Sequence, residues 1–112
     1  MADATIPPAD AVLLDSLLAY ADQGIASRVL AKAAGGNATL FAFDTGQGLS
    51  EHTAPFDALV FVLEGALTLT VGGRAVTATP GTVVRMPANV PHALEATERT
   101  KVLLLMLRAA VA

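Results

Sequence analysis

Short apolar segments separated by turn-forming residues make up most of this sequence of 112 residues. Glycine-containing pairs at Gly35–Gly36, Gly72–Gly73 and Pro80–Gly81 each follow the end of such a segment. Between Leu67 and Val71, leucine and valine alternate with threonine, which gives a strand one buried and one solvated face. Many short strands joined by tight turns, with no helical repeats between them, predict an antiparallel all-β sandwich or barrel.

The alternation and the turn residues together predict eight strands. They cover residues 25–33, 37–43, 57–63, 66–71, 74–79, 82–86, 92–97 and 101–108. Before them, four leucines between residues 13 and 18 recur at helical spacing, which predicts one amphipathic helix over residues 11–21. We therefore expect an N-terminal segment with a helix at 1–24 and a β-barrel domain at 25–112.

The length and the apolar content limit how this chain can be organised. A chain of 112 residues fits one compact domain. Hydrophobic residues are 54% of the total and charged residues only 15%, which is more apolar surface than a small monomer readily hides. We therefore expect a homodimer.

Charge, cysteine content and the N-terminus exclude several kinds of partner. Lysine and arginine number 7 against 10 acidic residues, with a net charge of -3 and no basic cluster, so we do not expect nucleic-acid binding. The absence of cysteine fits a reducing cytoplasm. The N-terminus lacks the positive charge and apolar core of a secretory signal, and the apolar run at 102–107 is far shorter than the ~20 residues of a spanning helix. We expect a cytoplasmic protein without a membrane partner.

Two blocks of the sequence contain its two histidines. The first runs from His52 to Gly65 (H-T-A-P-F-D-A-L-V-F-V-L-E-G) and the second from Pro80 to His92 (P-G-T-V-V-R-M-P-A-N-V-P-H). They resemble the paired motifs of the cupin superfamily, G-x5-H-x-H-x3-4-E-x6-G and G-x5-P-x-G-x2-H-x3-N. This resemblance implies a double-stranded β-helix, or jelly-roll barrel, of the small single-domain cupin 2 conserved-barrel type, and it covers residues 25–108.

The ligand set that this resemblance implies is incomplete. In such proteins three histidines and a glutamate surround one metal, whereas here the second histidine position falls on Ala54 and the glutamate position on Ala58. In the second motif His92 matches, Asn89 stands where glycine is usual, and Ala96 replaces the final asparagine.

Strand parity predicts which side chains would line the interior of the barrel. Side chains alternate between the two faces of a strand, so the residues that share the side of the two histidines can be identified. The predicted pocket residues are His52, Ala54, Ala58, Val60, Val62, His92 and Leu94. The two alanines would leave an apolar hollow with two imidazoles at one side, which is typical of a small-ligand site. In the alternative interpretation Phe56, Phe61 or Met106 fills that space.

The two histidines are also the candidate metal ligands. Two neutral imidazoles can hold one divalent transition metal such as Zn, Ni, Fe, Mn or Cu, but a tight site needs a third or fourth protein ligand. A bulge at Phe56–Asp57 would turn Asp57 inward and supply a carboxylate. Otherwise His52 and His92 satisfy each other, water or backbone groups.

Three functions stay open at this point, because a cupin-like fold alone does not select a reaction. The leading hypothesis is a protein that binds a small molecule, with or without a metal, in the barrel through His52 and His92. The alternatives are a minor metalloenzyme of dioxygenase or isomerase type and a non-catalytic structural or interaction dimer.

Overall fold

A computed structural model of the protein describes residues 5–108, and this part of the chain contains nine β-strands. They are β1 (Ile25–Ala33), β2 (Gly36–Phe43), β3 (Gly48–His52), β4 (Asp57–Glu64), β5 (Leu67–Val71), β6 (Arg74–Ala78), β7 (Val83–Met86), β8 (His92–Ala96) and β9 (Thr100–Leu107). One sheet has five strands in the order β1-β2-β9-β4-β7, and the other has four in the order β3-β8-β5-β6. All neighbouring strands are antiparallel. The predicted all-β jelly-roll fold is confirmed.

The eight predicted strands are all present, and no predicted end differs from the structure by more than one residue. The strand that the sequence did not reveal is β3, which contains the first histidine. All five of its residues are exposed, so β3 lacks the alternation of apolar and polar residues that marks the other strands. Its position is determined by pairing with β8 instead.

The prediction of an amphipathic helix over residues 11–21 is wrong. Within the described chain this region contains only one short 3-10 helix, Leu14–Ser16. Two carbonyl groups that a longer helix would bond internally accept hydrogen bonds from basic side chains of the sheet: Arg28 Nη1 donates to Leu17 O at 3.1 Å, and Lys101 Nζ donates to Asp15 O. Tertiary contacts therefore override the helical spacing of the leucines. Among residues 5–108, no helix has the length and apolarity that crossing a membrane requires.

Tyr20 connects this N-terminal segment to the five-stranded sheet. Its hydroxyl donates a hydrogen bond to Glu64 Oε2 at 2.6 Å, at the end of β4. The Arg99 guanidinium and the Lys101 ammonium lie 5.0 and 5.1 Å from the centre of its ring. Burial and the Glu64 carboxylate raise the pKa of the Tyr20 phenol well above its ordinary value, so the hydroxyl keeps the proton that it donates.

The hydrophobic core lies between the two sheets. The five-stranded sheet contributes Val60, Val62 and Val102, and the four-stranded sheet contributes Leu67 and Leu69, all at most 2% exposed. The side chains of β4 that face this core are those at even positions, from Ala58 to Val62. The core therefore aligns the first sequence motif with the inside of the barrel.

Gly65, which closes the first motif, cannot be replaced without distortion. Its φ of +86° lies in the left-handed region that side chains rarely adopt. A Cβ atom at this position would lie 2.2 Å from the carbonyl oxygen of Arg99, which is backbone and cannot move aside cheaply. The requirement for glycine here is thus both conformational and steric.

We expect Gly65→Ala to destabilise the protein more than Gly46→Ala. Gly46 has a similar φ of +82° but no atom within 4 Å of an added Cβ, so its substitution should cost only the left-handed strain of about 1–2 kcal/mol. The overlap with Arg99 should raise the loss at Gly65 to about 3 kcal/mol or more. Urea unfolding of the two variants measures the difference, and equal losses would contradict the steric argument.

Candidate functional site

The two histidines meet on neighbouring strands of the four-stranded sheet. His52 on β3 lies directly opposite His92 on β8 in the strand register. Their Nε2 atoms are 3.1 Å apart, the ring centroids are 4.3 Å apart, and the ring planes cross at 72°. His52 is exposed, whereas His92 is only 4% exposed, so the pair reaches from the surface into the interior.

A bulge in β3 turns His52 inward. Leu49 pairs with Leu94 and His52 pairs with His92, so Ser50 and Glu51 together oppose a single residue of β8. Without this extra residue, Leu49 and Glu51 would share one face and His52 would point the other way. The bulge therefore directs the His52 imidazole, and not the adjacent Glu51 carboxylate, toward the barrel interior. The structure has this bulge at Ser50–Glu51 and not at Phe56–Asp57.

Backbone carbonyl groups fix which nitrogen of each ring carries a proton. His52 Nδ1 lies 2.8 Å from Ser50 O, and His92 Nδ1 lies 3.1 Å from Val90 O. A carbonyl oxygen can only accept, so both Nδ1 atoms must donate. Each neutral ring then presents the lone pair of its Nε2 atom to the other ring, and the two Nε2 atoms are 3.1 Å apart.

A cavity of about 230 Å³ lies beside the histidine pair in the barrel interior. Its walls are almost entirely apolar, and among residues 5–108 the two imidazoles are the only polar side chains that line it. The lining residues are Phe41, Phe43, Leu49, His52, Ala54, Phe56, Ala58, Val60, Met86, His92, Leu94, Val102, Leu104 and Met106.

Six of the seven residues predicted for the pocket lie in this lining. The exception is Val62, which is 2% exposed and packs in the core further along β4. Phe56 and Met106, which could have filled the space, form part of its wall instead, and Phe61 does not line it.

Sequence reasoning missed the contributions of β2 and β9 to the cavity. Phe41 and Phe43 line it from β2, and Val102, Leu104 and Met106 line it from β9. Both sets alternate along their strands, so strand parity was a usable signal for them. Neither strand lies in the histidine-containing motifs, which is why the predicted pocket did not include them.

Asp57 does not join the histidines. Its Oδ1 accepts a hydrogen bond from the Ala88 N–H at 2.9 Å, and its Oδ2 accepts from Arg85 Nε at 3.0 Å and forms an ion pair with Arg85 at 2.9 Å. The Ala88 N–H and the Arg85 guanidinium hold the pKa of the Asp57 carboxyl below its ordinary value of 3.8. This carboxylate connects β4 to the loop between β7 and β8 and does not serve as a third ligand.

Asn89 in the same loop explains one departure from the cupin motif. Its φ of +62° is left-handed, and asparagine is among the few residues other than glycine that adopt this conformation readily. The Asn89 N–H donates to the carbonyl oxygen of Ala54 at 2.7 Å. The second motif is thereby joined to the segment that follows His52.

The side chains at this site do not fit a resident metal. The orientation of the two rings, with each Nδ1 held by a backbone carbonyl, is one that metal-bound histidines also show. Within residues 5–108, however, no group of three or more histidine, cysteine, aspartate or glutamate side chains comes together. Two nitrogen donors are fewer than the three or four protein ligands of a stable transition-metal site, because Ala54 and Ala58 occupy the other positions.

We expect Asp57→Asn to lower the melting temperature at about pH 7 and to have little effect at about pH 3. A carboxyl whose pKa is depressed in the folded state stabilises the protein above its unfolded pKa of 3.8, and this contribution is lost as the pH falls through the folded value. Circular dichroism at both pH values tests this. Glu95→Gln, at an exposed position on β8, is the control, and a loss for Asp57→Asn that does not change with pH would contradict the role of the charge.

Comparison with known proteins agrees with this architecture. The family model of the cupin domain matches residues 39–108. A conserved protein of unknown function from Streptococcus pyogenes is 29% identical, with a TM-score of 0.89 over 96% of this chain and 94% of that one. A cupin superfamily protein from Desulfitobacterium hafniense is 27% identical, with a TM-score of 0.87 over 94% and 96%.

Two further comparisons were made, one with a longer solved structure and one with curated protein sequences. A cupin 2 conserved barrel domain protein from Leptotrichia buccalis is 35% identical with a TM-score of 0.81, and the match covers 85% of this chain but 46% of that one. No curated protein is significantly similar to this sequence. The family model, the shared fold and the positions of His52 and His92 lead to one conclusion: the chain belongs to the cupin superfamily, as a small cupin-domain protein.

Proposed function

We propose that this protein binds a small molecule in the barrel cavity, with His52 and His92 as its polar contacts and without a resident metal. One observation carries the proposal: the described residues form a cavity of about 230 Å³ with apolar walls and a single polar feature, the pair of histidines whose Nε2 atoms are 3.1 Å apart. A concave, mostly apolar space with a few convergent polar groups is the usual form of a small-ligand site.

The size of the cavity supports binding over a purely structural barrel. Protein interiors are packed about as densely as organic crystals, whereas the side chains of this barrel leave a space of about 230 Å³. A cavity of about 150 Å³ already accommodates benzene. The cavity here therefore has room for a ring and a short substituent.

The lining residues also favour binding over catalysis. Within the part of the chain that the structure describes, no carboxylate, hydroxyl, amine or guanidinium group lines the cavity. A hydrolytic or transfer reaction commonly needs a nucleophile or a second acid–base group besides a histidine, and the pair already uses both Nδ1 protons on backbone carbonyls. The histidine pair is therefore suited to orienting a bound ligand.

We expect Ala58→Leu to weaken binding of small apolar molecules by at least about tenfold, because the larger side chain occupies the cavity. Ala58 is 5% exposed and lines the cavity, whereas Ala93 on β8 is turned away from it, so Ala93→Leu is a matched control. Titration of the labelled protein with toluene, followed by amide chemical shifts, measures the affinity. If toluene shifts no cavity amide in the parent, or binds both variants equally, the cavity is not a binding site.

Restoring the missing ligands should create a metal site. Ala54 and Ala58 both line the cavity with His52 and His92, so Ala54→His with Ala58→Glu would place three imidazoles and a carboxylate around one space. We expect tight uptake of Zn, Ni or Mn in the double variant and weak uptake in the parent, at some cost in stability without metal. Metal analysis after dialysis measures this.

A double variant with the same positions changed to glutamine serves as the metal-binding control. If the histidine and glutamate variant folds but holds no more metal than this control, Ala54 and Ala58 do not correspond to ligand positions. If the parent itself keeps one metal per chain after dialysis, the proposal of a metal-free site is wrong.

We also propose that the protein forms a homodimer. Several large apolar side chains are exposed in the single chain: Leu13 is 75% exposed on the N-terminal segment, Val83 is 52% exposed on the edge strand β7, and Leu107 is 49% exposed at the end of β9. A second copy of the chain would cover such groups, and specific interfaces usually bury about 1,200–2,000 Å² in total.

Sedimentation at micromolar concentration tests the assembly. We expect a dimer, with Leu13→Asp or Val83→Asp shifting it toward monomer, because a charge at a buried interface is unfavourable. Thr77→Asp, at an exposed position on β6 of the other sheet, should leave the dimer intact. A monomeric parent protein would count decisively against the proposal.

A further inference from the structure

We propose that Ala58, Met86 and Met106 form a seat for an aromatic ring, which we call the ring seat, and that the ligand of the cavity is a single-ring aromatic compound with a short substituent. This inference rests on the proposed function, because it names the chemical class that the same cavity would select. The three residues lie on the adjacent strands β7, β4 and β9, and all three line the cavity.

The strand register places a small side chain between two long ones. Ala58 on β4 pairs with Met86 on β7 on one side and with Met106 on β9 on the other. Directly paired residues project from the same face of a sheet, so all three side chains point into the barrel. Ala58 ends at its methyl group while both methionines extend further, so a notch lies over Ala58 with one thioether at each side.

The spacing of the strands suits a ring with sulfur at two opposite edges. Neighbouring strands lie about 4.8 Å apart, and side chains in strands stand roughly perpendicular to the sheet. A ring centred over Ala58 would therefore have a methionine side chain about 5 Å from its centre in two directions. A thioether sulfur attracts an aromatic ring at about this distance, often at the ring edge. A saturated ring in the same position lacks this attraction.

Three phenylalanine side chains add aromatic contacts elsewhere in the cavity. Phe41 and Phe43 line it from β2, with their ring centroids 6.1 Å apart and their planes 25° from parallel. Phe56, which precedes β4, lines it as well. Aromatic pairs with centroids about 4.5–7 Å apart attract each other beyond the burial of apolar area, so these walls also favour an aromatic ligand.

The volume and the polarity of the walls limit the rest of the ligand. A cavity of about 150 Å³ holds benzene, so a volume of about 230 Å³ admits about nine non-hydrogen atoms. In the described chain, polar side chains line the cavity only at His52 and His92, so a sugar or a nucleoside would bury most of its polar groups without a partner. A benzene ring with one short substituent avoids that loss.

Two alcohols of the same carbon skeleton distinguish this inference from apolar burial alone. Benzyl alcohol and cyclohexylmethanol carry the same hydroxyl group, so the contribution of the histidines is common to both. The saturated compound is the less soluble in water, so apolar burial alone predicts that it binds more tightly. We expect the opposite order in calorimetric titration of the full chain, with benzyl alcohol bound at least about threefold more tightly.

The double variant Met86→Leu with Met106→Leu removes both sulfur atoms and keeps apolar side chains of similar size. We expect it to bind cyclohexylmethanol as the parent does and to lose most of the preference for benzyl alcohol. Leu67→Met, in the core but outside the cavity lining, is the matched control and should keep the preference. A preference in the double variant as large as that in the parent overturns the inference.

Methyl NMR of the parent protein tests the ring seat even if the double variant does not fold. At saturating benzyl alcohol we expect nuclear Overhauser contacts between the ring protons of the ligand and the ε-methyl groups of both Met86 and Met106. The absence of these contacts while benzyl alcohol is bound would show that the ring lies elsewhere, and the ring seat would be wrong.

The outcomes separate the inference from the proposed function. If the parent binds cyclohexylmethanol as tightly as benzyl alcohol and Ala58→Leu weakens both, the ring seat is overturned but the cavity remains a binding site. If neither alcohol binds, or if Ala58→Leu leaves the binding of both unchanged, the proposed function fails together with the inference.

Discussion

The contact between His52 and His92 forms the polar part of an otherwise apolar barrel interior. The two rings meet because a bulge in β3 places His52 opposite His92 on β8, and the backbone carbonyl groups of Ser50 and Val90 accept a hydrogen bond from each Nδ1. With both Nδ1 atoms held by carbonyl groups, the Nε2 edges face each other at 3.1 Å. Among residues 5–108, every other side chain that lines the cavity is apolar, so this pair is the source of its polarity.

The rest of the fold holds the pair in place through backbone contacts. Gly48 lets β3 approach β8 closely, since a Cβ there would lie 2.1 Å from Leu94 O. The Asn89 N–H bonds to Ala54 O, and Asp57 bonds to the Ala88 N–H, so the loop that precedes His92 is fixed to the segment that follows His52. At two positions where the cupin motif has metal-ligand side chains, this chain has Ala54 and Ala58, whose small methyl groups leave the cavity open.

The sequence was sufficient to predict the fold and part of the candidate site, and the predictions that were wrong or incomplete have physical causes. The alternating strands and the two motifs led to the jelly roll, and the parity of Ala54, Ala58 and Val60 identified one wall of the cavity. The helix over residues 11–21 failed because Arg28 and Lys101 bind carbonyl groups that the helix would need. Strand β3 shows no alternation of apolar and polar residues, because all of its residues are exposed. The direction of the His52 side chain depends on a bulge that no residue type near it predicts.

Nitrogen-15 NMR of the histidine side chains tests the central claim most directly. The sequence contains only two histidines, so every imidazole signal belongs to the pair. The account predicts a proton on Nδ1 of both rings, because the carbonyl oxygens of Ser50 and Val90 accept hydrogen bonds from these atoms. A ring with its proton on Nε2 and a bare Nδ1 would contradict the account, because the backbone carbonyl group would then not orient that imidazole.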